Sequence, residues 1–291
     1  MEIRLLRYFW TVAQEGNITK AARVLNITQP TLSRQIKELE ETVGTMLFQR
    51  VKNHLVLTQD GVFLKERAEE ILQLSDKLEA DIFTKKNQQL AGNFTVGCVE
   101  ADNSDTLAMM IEELINDYPE VTFDLVTGTS EDISDKLEKG LLDFALLLEP
   151  VSLNDVESLR LPREEKWGIL MSNEFFLANQ EVMTPEDIKG LSLMMSNRKE
   201  VQQLFSEWAK IPVDELTIKG NFNLIYNVLS LVENKVGVAL LIEGAIVNRT
   251  LDTMKFLPLD PPLKTNCVLV WKKRMHTPVV QEIIRRFKHA F

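Results

Sequence analysis

At 291 residues and 45% hydrophobic content, the chain is long enough for two or three compact units with real cores. A net charge of −10 would argue against DNA binding if it were spread evenly. It is not: residues 1–65 hold nine Lys/Arg against six Asp/Glu, and subtracting that +3 leaves −13 on the remainder. A positive head on a negative body puts phosphate affinity in one unit and discourages the other from lying on DNA. The first residues include Glu2, Arg4 and Arg7 and lack a continuous apolar core, so no secretory signal is expected and the protein reads as cytoplasmic. Apolar runs such as GVALLIEGAIV (237–247) are too short and interrupted to span a bilayer. Cys98 and Cys267 lie far apart in strand-like runs and read as buried small hydrophobes, not as a disulfide or a redox pair.

In chain order, residues 3–15 read as an amphipathic helix with Leu6, Phe9, Val12 and Ala13 inward. The stretch NITKAARVLNITQPTLSRQIKELEE (17–41) then reads as two short helices set at an angle. Thr19 is the expected cap of the first, and Ala21, Ala22 and Leu25 form its apolar stripe. Asn26 falls where the chain must turn, and Asn tolerates the left-handed conformation. Thr28 is the expected cap of the second helix, with Pro30 in its first turn, where a missing N–H is harmless. Leu32, Ile36 and Leu39 face inward at spacings of four and three. Gln29, Thr31, Ser33, Arg34 and Lys37 are left on the other faces, a polar and partly cationic surface of the kind a major-groove reader needs. A helical hairpin with a merely solvated face fits the same residues.

After Gly44, LFQRVKNHLVLT reads as a hairpin turning at Lys52-Asn53-His54, and Arg50, Lys52, Asn53 and His54 become candidates for phosphate or minor-groove contact. Thr58 is the expected cap of a long helix running to about Gln89. Within it Leu64, Ala68, Ile71, Ser75, Leu78 and Ile82 alternate at four and three residues, a heptad seam that a second copy would cover. From Phe94 on, about seven apolar runs (FTVGCV, TFDLVTG, FALLLE, WGILMS, LSLMMS, GVALLIE and CVLVW) alternate with helical stretches. That rhythm predicts mostly parallel sheets covered by helices, as two small α/β lobes rather than one large sheet. Asn116-Asp117-Tyr118-Pro119 ends one helix, Gly140 another, and Thr184-Pro185-Glu186-Asp187 starts one with a capping box.

No catalytic constellation is visible. His54, His276 and His289 are scattered, and no nucleophile elbow, phosphate loop or dinucleotide fingerprint occurs, so neither an enzyme, a metal nor a cofactor is expected. Ligands in open α/β lobes collect at the carboxyl ends of strands. Here those ends are Glu100, Ala101, Asp102 and Asn103, then Thr129 and Ser130, then Glu149 in the first lobe, and Ser196, Asn197 and Arg198 in the second. Thr129 and Ser130 fit helix capping and ligand contact equally. Glu100, Asp102 and Glu149 read either as solvated surface or as an acidic rim. If a rim, it favours an effector with an amino group, such as a zwitterion bridging Glu100 and Arg198.

The first 65 or so residues resemble the DNA-binding domain of LysR-type transcriptional regulators. Gln29-Pro30 followed by Leu32, Ser33 and Arg34 falls on that family's recognition-helix pattern, and Gly44, Leu47 and Phe48 on the segment after it; the match runs ungapped over some sixty residues. Beyond that the resemblance lies in length and layout, with local matches such as TFDLVTG and LEKGLLDFALLLE. It implies a winged helix-turn-helix over 1–58, a dimerising linker helix over 59–89 and a two-lobed effector domain similar to periplasmic binding proteins. Lobe I would take 94–165 and 263–291 and lobe II 166–262, with crossings near Lys166 and Pro261-Pro262. It further implies a sequence-specific regulator that binds double-stranded DNA as a homodimer or homotetramer and senses a small molecule between the lobes. Family wings are often richer in Arg than this one. An α/β enzyme or transport-binding protein with a helical cap lacks its catalytic set or its signal here. A ligand-independent architectural DNA binder stays open.

Overall fold

The computed structural model describes residues 2–51, 54–84, 90–151 and 153–291, with side chains for all of these except 51, 54 and 80–84. The chain divides into two compact units, Met1–Lys86 and Asn87–Phe291.

Unit 1 holds α1 (Ile3–Glu15), α2 (Ile18–Val24), α3 (Gln29–Val43), the hairpin β1 (Phe48–Val51) and β2 (His54–Leu57), and α4 (Gln59–Thr84). Leu5, Leu6, Phe9 and Val12 give α1 one buried stripe, which meets Ala21 and Ala22 of α2 and Leu32, Ile36 and Leu39 of α3. Phe9, Leu32 and Leu39 are fully buried, so truncating any of them to Ala would cost about 2–5 kcal/mol. The cap of α2 is Asn17, not Thr19: its Oδ1 accepts the Lys20 N–H at 3.0 Å. Asn17 has the extended backbone a cap requires, whereas Thr19 already lies inside the helix. Asn26 takes the left-handed conformation at φ 53° and Gly44 ends α3 at φ 78°. Thr28 caps α3 through its side chain.

The seam expected on α4 divides. Ala68 is fully buried in the unit's own core, Leu72 beside it is buried and Leu64 packs against them. Arg7 of α1 reaches Asp76 at 2.6 Å. Ala68 is thereby removed from any interface with another chain, because α1 covers it. Phe63, Ile71, Leu74 and Leu78 stay exposed.

Unit 2 runs β3 (Gly92–Cys98), α5 (Asn103–Asp117), β4 (Val121–Thr127), α6 (Ser130–Glu138), β5 (Phe144–Leu148), β6 (Val156–Ser172), β7 (Leu193–Ser196), α7 (Lys199–Ala209), β8 (Ile218–Phe222), α8 (Tyr226–Glu233), β9 (Val238–Ile242), β10 (Met254–Pro258), β11 (Lys264–Lys272) and α9 (Pro278–Ala290). The seventeen-residue β6 serves two sheets. Residues 156–166 pair with β11, in the order β4-β3-β5-β11-β6, while 167–172 pair with β9 and β10, which extends to β7 and β8. Two α/β layers therefore share one strand, and the chain returns along 258–264 through a cis Asp260-Pro261 bond.

The sheets are less parallel than expected. The pairs β3-β4, β3-β5, β7-β8 and β7-β9 are parallel, but every pair made by β6 or β11 is antiparallel. Strands β8, β10 and the first half of β6 escape the hydrophobic pattern. IKGNF in β8 is polar and carries Gly, and VESLRLPREEK opens β6 with charge. The capping box at Thr184 forms, but Pro185–Ile188 is a single 3-10 turn, stopped by extended Lys189 and left-handed Gly190. Both cysteines are free and buried, and burial pushes each thiol above its ordinary range, away from the reactive thiolate.

Candidate DNA interface and ligand cleft

In unit 1 the exposed start of α3 carries Thr28, Gln29, Pro30 and Arg34, with Thr31 and Ser33 half-buried beside them. Gln29 Nε2 donates to Ser33 Oγ at 2.8 Å, one turn along, so the two amide and hydroxyl groups share one face. Among the described residues no carboxylate pairs with Arg34; Lys37 sits 3.6 Å from Glu41, both exposed, an ion pair of little strength. The hairpin pairs Phe48 with Leu57 and Arg50 with Leu55. Ser33 and Lys37 of α3 face Gln49 and Arg50 of β1 across a groove floored by Ile36 and Phe48. Polar and cationic groups on both walls suit a duplex edge, and the one acid of the groove among the described residues, Glu40, is turned to the Leu47 and Phe48 N–H groups. Lys52 and Asn53 lie outside the described residues, and so does the side chain of His54.

In unit 2 a cleft opens between the two sheets at the carboxyl ends of their parallel strands. Of the residues expected there, Glu100, Thr129, Ser130, Ser196 and Arg198 line it. The rest do not. Ala101 is core, and Asn197 is exposed elsewhere. Asp102 turns to Arg163, which bonds both its oxygens at 3.0–3.1 Å. Asn103 is fully buried, donating to Arg163 O at 2.9 Å and Glu165 Oε1 at 3.2 Å. Glu149 accepts from Asn266 at 2.7 Å and from Arg160 at 3.4 Å.

The acidic rim is thus neutralised from within. Glu100, the one of its three acids that reaches the cleft, accepts the Ile225 N–H at 2.7 Å and stands 3.6 Å from Arg249. It ties the first lobe to the second rather than waiting for a cation. Thr129 is spent on capping: its hydroxyl bonds Asp132, whose carboxylate returns to the Thr129 N–H. Ser130 instead faces Arg198 across the lobes, with Nη1 donating to its Oγ at 3.2 Å. Arg198 Nε is buried and has no partner among the described residues. Apolar side chains make up most of the remaining wall, among them Leu148, Trp167, Phe222 and Leu241. Leu148 and Phe222 end β5 and β8 and fall on strand ends that the sequence marks, whereas Trp167 and Leu241 were missed because they sit inside strands that only tertiary pairing brings together.

Behind the cleft floor Glu165 is 1% exposed, with Oε2 unpartnered among the described residues. Burial pushes its carboxyl above the ordinary range, opposed by the bonds from Asn103 and helped by nearby Asp102. Gly244 closes over it: a Cβ there would stand 2.3 Å from Glu165 Oε2 and 2.1 Å from the Asp102 nitrogen, so no other residue fits.

A helix-turn-helix with a hairpin wing, followed by two α/β lobes around a cleft, is an architecture suited to a DNA-binding regulator with a ligand-binding unit. Residues 3–62 match the family described as bacterial regulatory helix-turn-helix protein, lysR family, and residues 87–291 match the LysR substrate binding domain. The chain belongs to the LysR family of transcriptional regulators. It is 26% identical to the HTH-type transcriptional regulator AlsR of Bacillus subtilis (strain 168) over 290 residues, covering 98% of this chain and 94% of AlsR. It is 27% identical to the Hca operon transcriptional activator HcaR of Escherichia coli (strain K12), covering 98% of this chain and 96% of HcaR. Full-length CbnR, solved in complex with its target DNA, shares the fold at a TM-score of 0.77 and 19% identity, with both chains covered completely.

Proposed function

We propose that this protein acts in the cytoplasm as a homodimer or homotetramer whose paired heads read an operator, and that a small anionic effector in the interlobe cleft sets their spacing. Gln29, Ser33 and Arg34 read base edges, Gln29 suited to adenine and Arg34 to guanine, while Arg50 of the wing contacts the backbone beside them. Lys52, Asn53 and His54 are assigned to the wing from the sequence alone. The exposed face of α4, with Ile71 and Leu78, pairs with that of a second copy.

The observation that carries the effector class is Arg198, a cleft guanidinium whose buried Nε has no partner, and which pairs with no carboxylate, among the described residues. A buried guanidinium N–H left without an acceptor is costly, and a ligand carboxylate supplies two oxygens for it. The apolar wall then selects a compact hydrocarbon or aromatic body behind that head. This replaces the amine expected from the acidic rim, because Glu100, Asp102 and Glu149 already have partners.

The test is calorimetric titration of wild type and Arg198→Ala with panels of monocarboxylates, dicarboxylates, amines and amino acids. Wild type is expected to bind a carboxylate and the variant to lose at least tenfold in affinity. Binding of a plain amine, indifferent to Arg198, would overturn the anion assignment and leave the DNA-binding activity untouched. Selecting bound fragments from genomic DNA supplies the operator.

A further inference from the structure

Several side chains, Glu40 and Thr58 of the α3–β1 groove among them, converge on one short segment of unit 1, the four residues Thr45–Phe48 that lead from α3 into the wing. From α3, Glu40 sends its carboxylate over the end of its own helix, where Oε1 accepts the N–H of Leu47 at 2.7 Å and of Phe48 at 3.2 Å. From the start of α4, Thr58 donates its hydroxyl to Met46 O at 2.7 Å and its N–H to Leu47 O at 3.0 Å. Asp60 accepts the Thr45 hydroxyl at 2.7 Å. Gly61 lies so close that a Cβ would stand 2.1 Å from Leu47 O. Leu47 itself is 1% exposed.

We infer that Glu40 is a positioning residue for the wing, fixing Arg50 relative to the reading helix. The reason is geometric. Leu47 and Phe48 enter β1, and because the Thr58 N–H bonds Leu47 O, Phe48 and Leu57 form a pair whose own N–H groups point away from each other, so β2 offers the Phe48 N–H no acceptor. Without Glu40 those two N–H groups lose a charged acceptor, and the base of the hairpin is held only by the α4 side of the segment. Since Arg50 stands two residues past Phe48, a hinge at Leu47 swings it as one arm. The α4 contacts have a second consequence: the first turn of α4 cannot rotate without carrying the wing base with it, because Gly61 leaves no gap there.

This inference rests on α3 and the wing being the DNA interface, so the experiment separates the two. The probe is a duplex selected by the wild-type protein from random DNA, with affinity and hydroxyl-radical footprint measured for the full chain. Arg34→Ala and Arg50→Ala test the interface itself; if both bind as wild type, that reading fails and this inference fails with it. If they weaken binding, Glu40→Ala is expected to lower affinity about tenfold and to erase protection of the flanking phosphates while keeping base preference at the centre. Glu40→Gln, which retains an acceptor oxygen, should restore most of the protection. Arg50→Ala should then cost little more when added to Glu40→Ala, because the arm is already misplaced. Additive losses, or an intact flanking footprint in Glu40→Ala, overturn the inference. Should Glu40→Ala fail to fold, Glu40→Asp, too short to span both N–H groups, carries the same footprint and additivity expectations.

Discussion

Two residues illustrate how burial decides the role of a charge. Arg34 is exposed at the start of α3 with no acid paired to it among the described residues, so its guanidinium is available to a guanine edge. Arg34→Ala is expected to cost about 1–3 kcal/mol on a selected operator and to relax preference at one base position. Competition binding against random DNA checks this: equal losses on both would reduce Arg34 to a phosphate contact. Glu165 is the opposite case, an acid enclosed at the crossing strand under Gly244. Its folded carboxyl titrates above the ordinary 4.5, so the folded state holds the proton more tightly than the unfolded one. Its stability contribution is complete below about pH 4.5 and is lost as pH rises through the raised value. Glu165→Gln, neutral at every pH, should therefore melt above wild type at pH 8 and converge with it in acid. Parallel melting curves across that range would contradict the upward shift of the Glu165 carboxyl.

At the scale of the element, α4 shows why a heptad stripe is ambiguous. A helix has one apolar face per seam, and its first turns use theirs on α1, burying Ala68 and Leu72 inside the unit. What stays outward is Phe63, Ile71, Leu74 and Leu78, with the Arg67 guanidinium 5.7 Å over the Phe63 ring. A soluble chain rarely leaves such a row uncovered. Replacing Ile71 and Leu78 together by Glu would set like charges across a paired seam, and we predict loss of the dimer and of operator binding with the circular-dichroism melt of the head retained. A double variant that sediments as wild type would dispose of the paired-helix assembly. The wing is the other ambiguous element. Its strands are legible from two β-prone runs, but its angle to α3 depends on Glu40 and Thr58, neither of which belongs to a strand pattern.

For the whole molecule, the cleft is closed by contacts that cross it: Glu100 to the Ile225 N–H, and Arg198 to Ser130. A ligand entering between them shifts the balance of lobe arrangements only by the difference in its affinity for each. A saturating carboxylate at about a hundred times its dissociation constant should add about 2.7 kcal/mol to stability, visible as a raised Tm. An architectural DNA binder would gain nothing from any member of the panel. The same titration followed by analytical ultracentrifugation on operator DNA tests whether binding changes the assembly or only its internal angle.

The DNA-reading half of this protein was largely written in its sequence, because caps, turns and helical stripes are local. Thr28, Pro30, Asn26 and Gly44 each act within one turn of themselves, and Leu32, Ile36 and Leu39 bury as their spacing requires. The displaced cap, from Thr19 to Asn17, is an error of two residues within the same turn. The ligand half was legible only as a rhythm of strands and helices. Its lobes are joined where β6 pairs with β11 across about a hundred residues, Glu165 beside Thr265, and no local pattern fixes that register. Charge was the most misleading signal, since a carboxylate's meaning depends on its partner. Glu100, Asp102 and Glu149 look alike in the chain, yet one ties two lobes, one grips Arg163 and one rests on Asn266. Sequence determines which groups exist and how each turn begins and ends; only the folded chain decides which charges meet, because that is set by long-range packing.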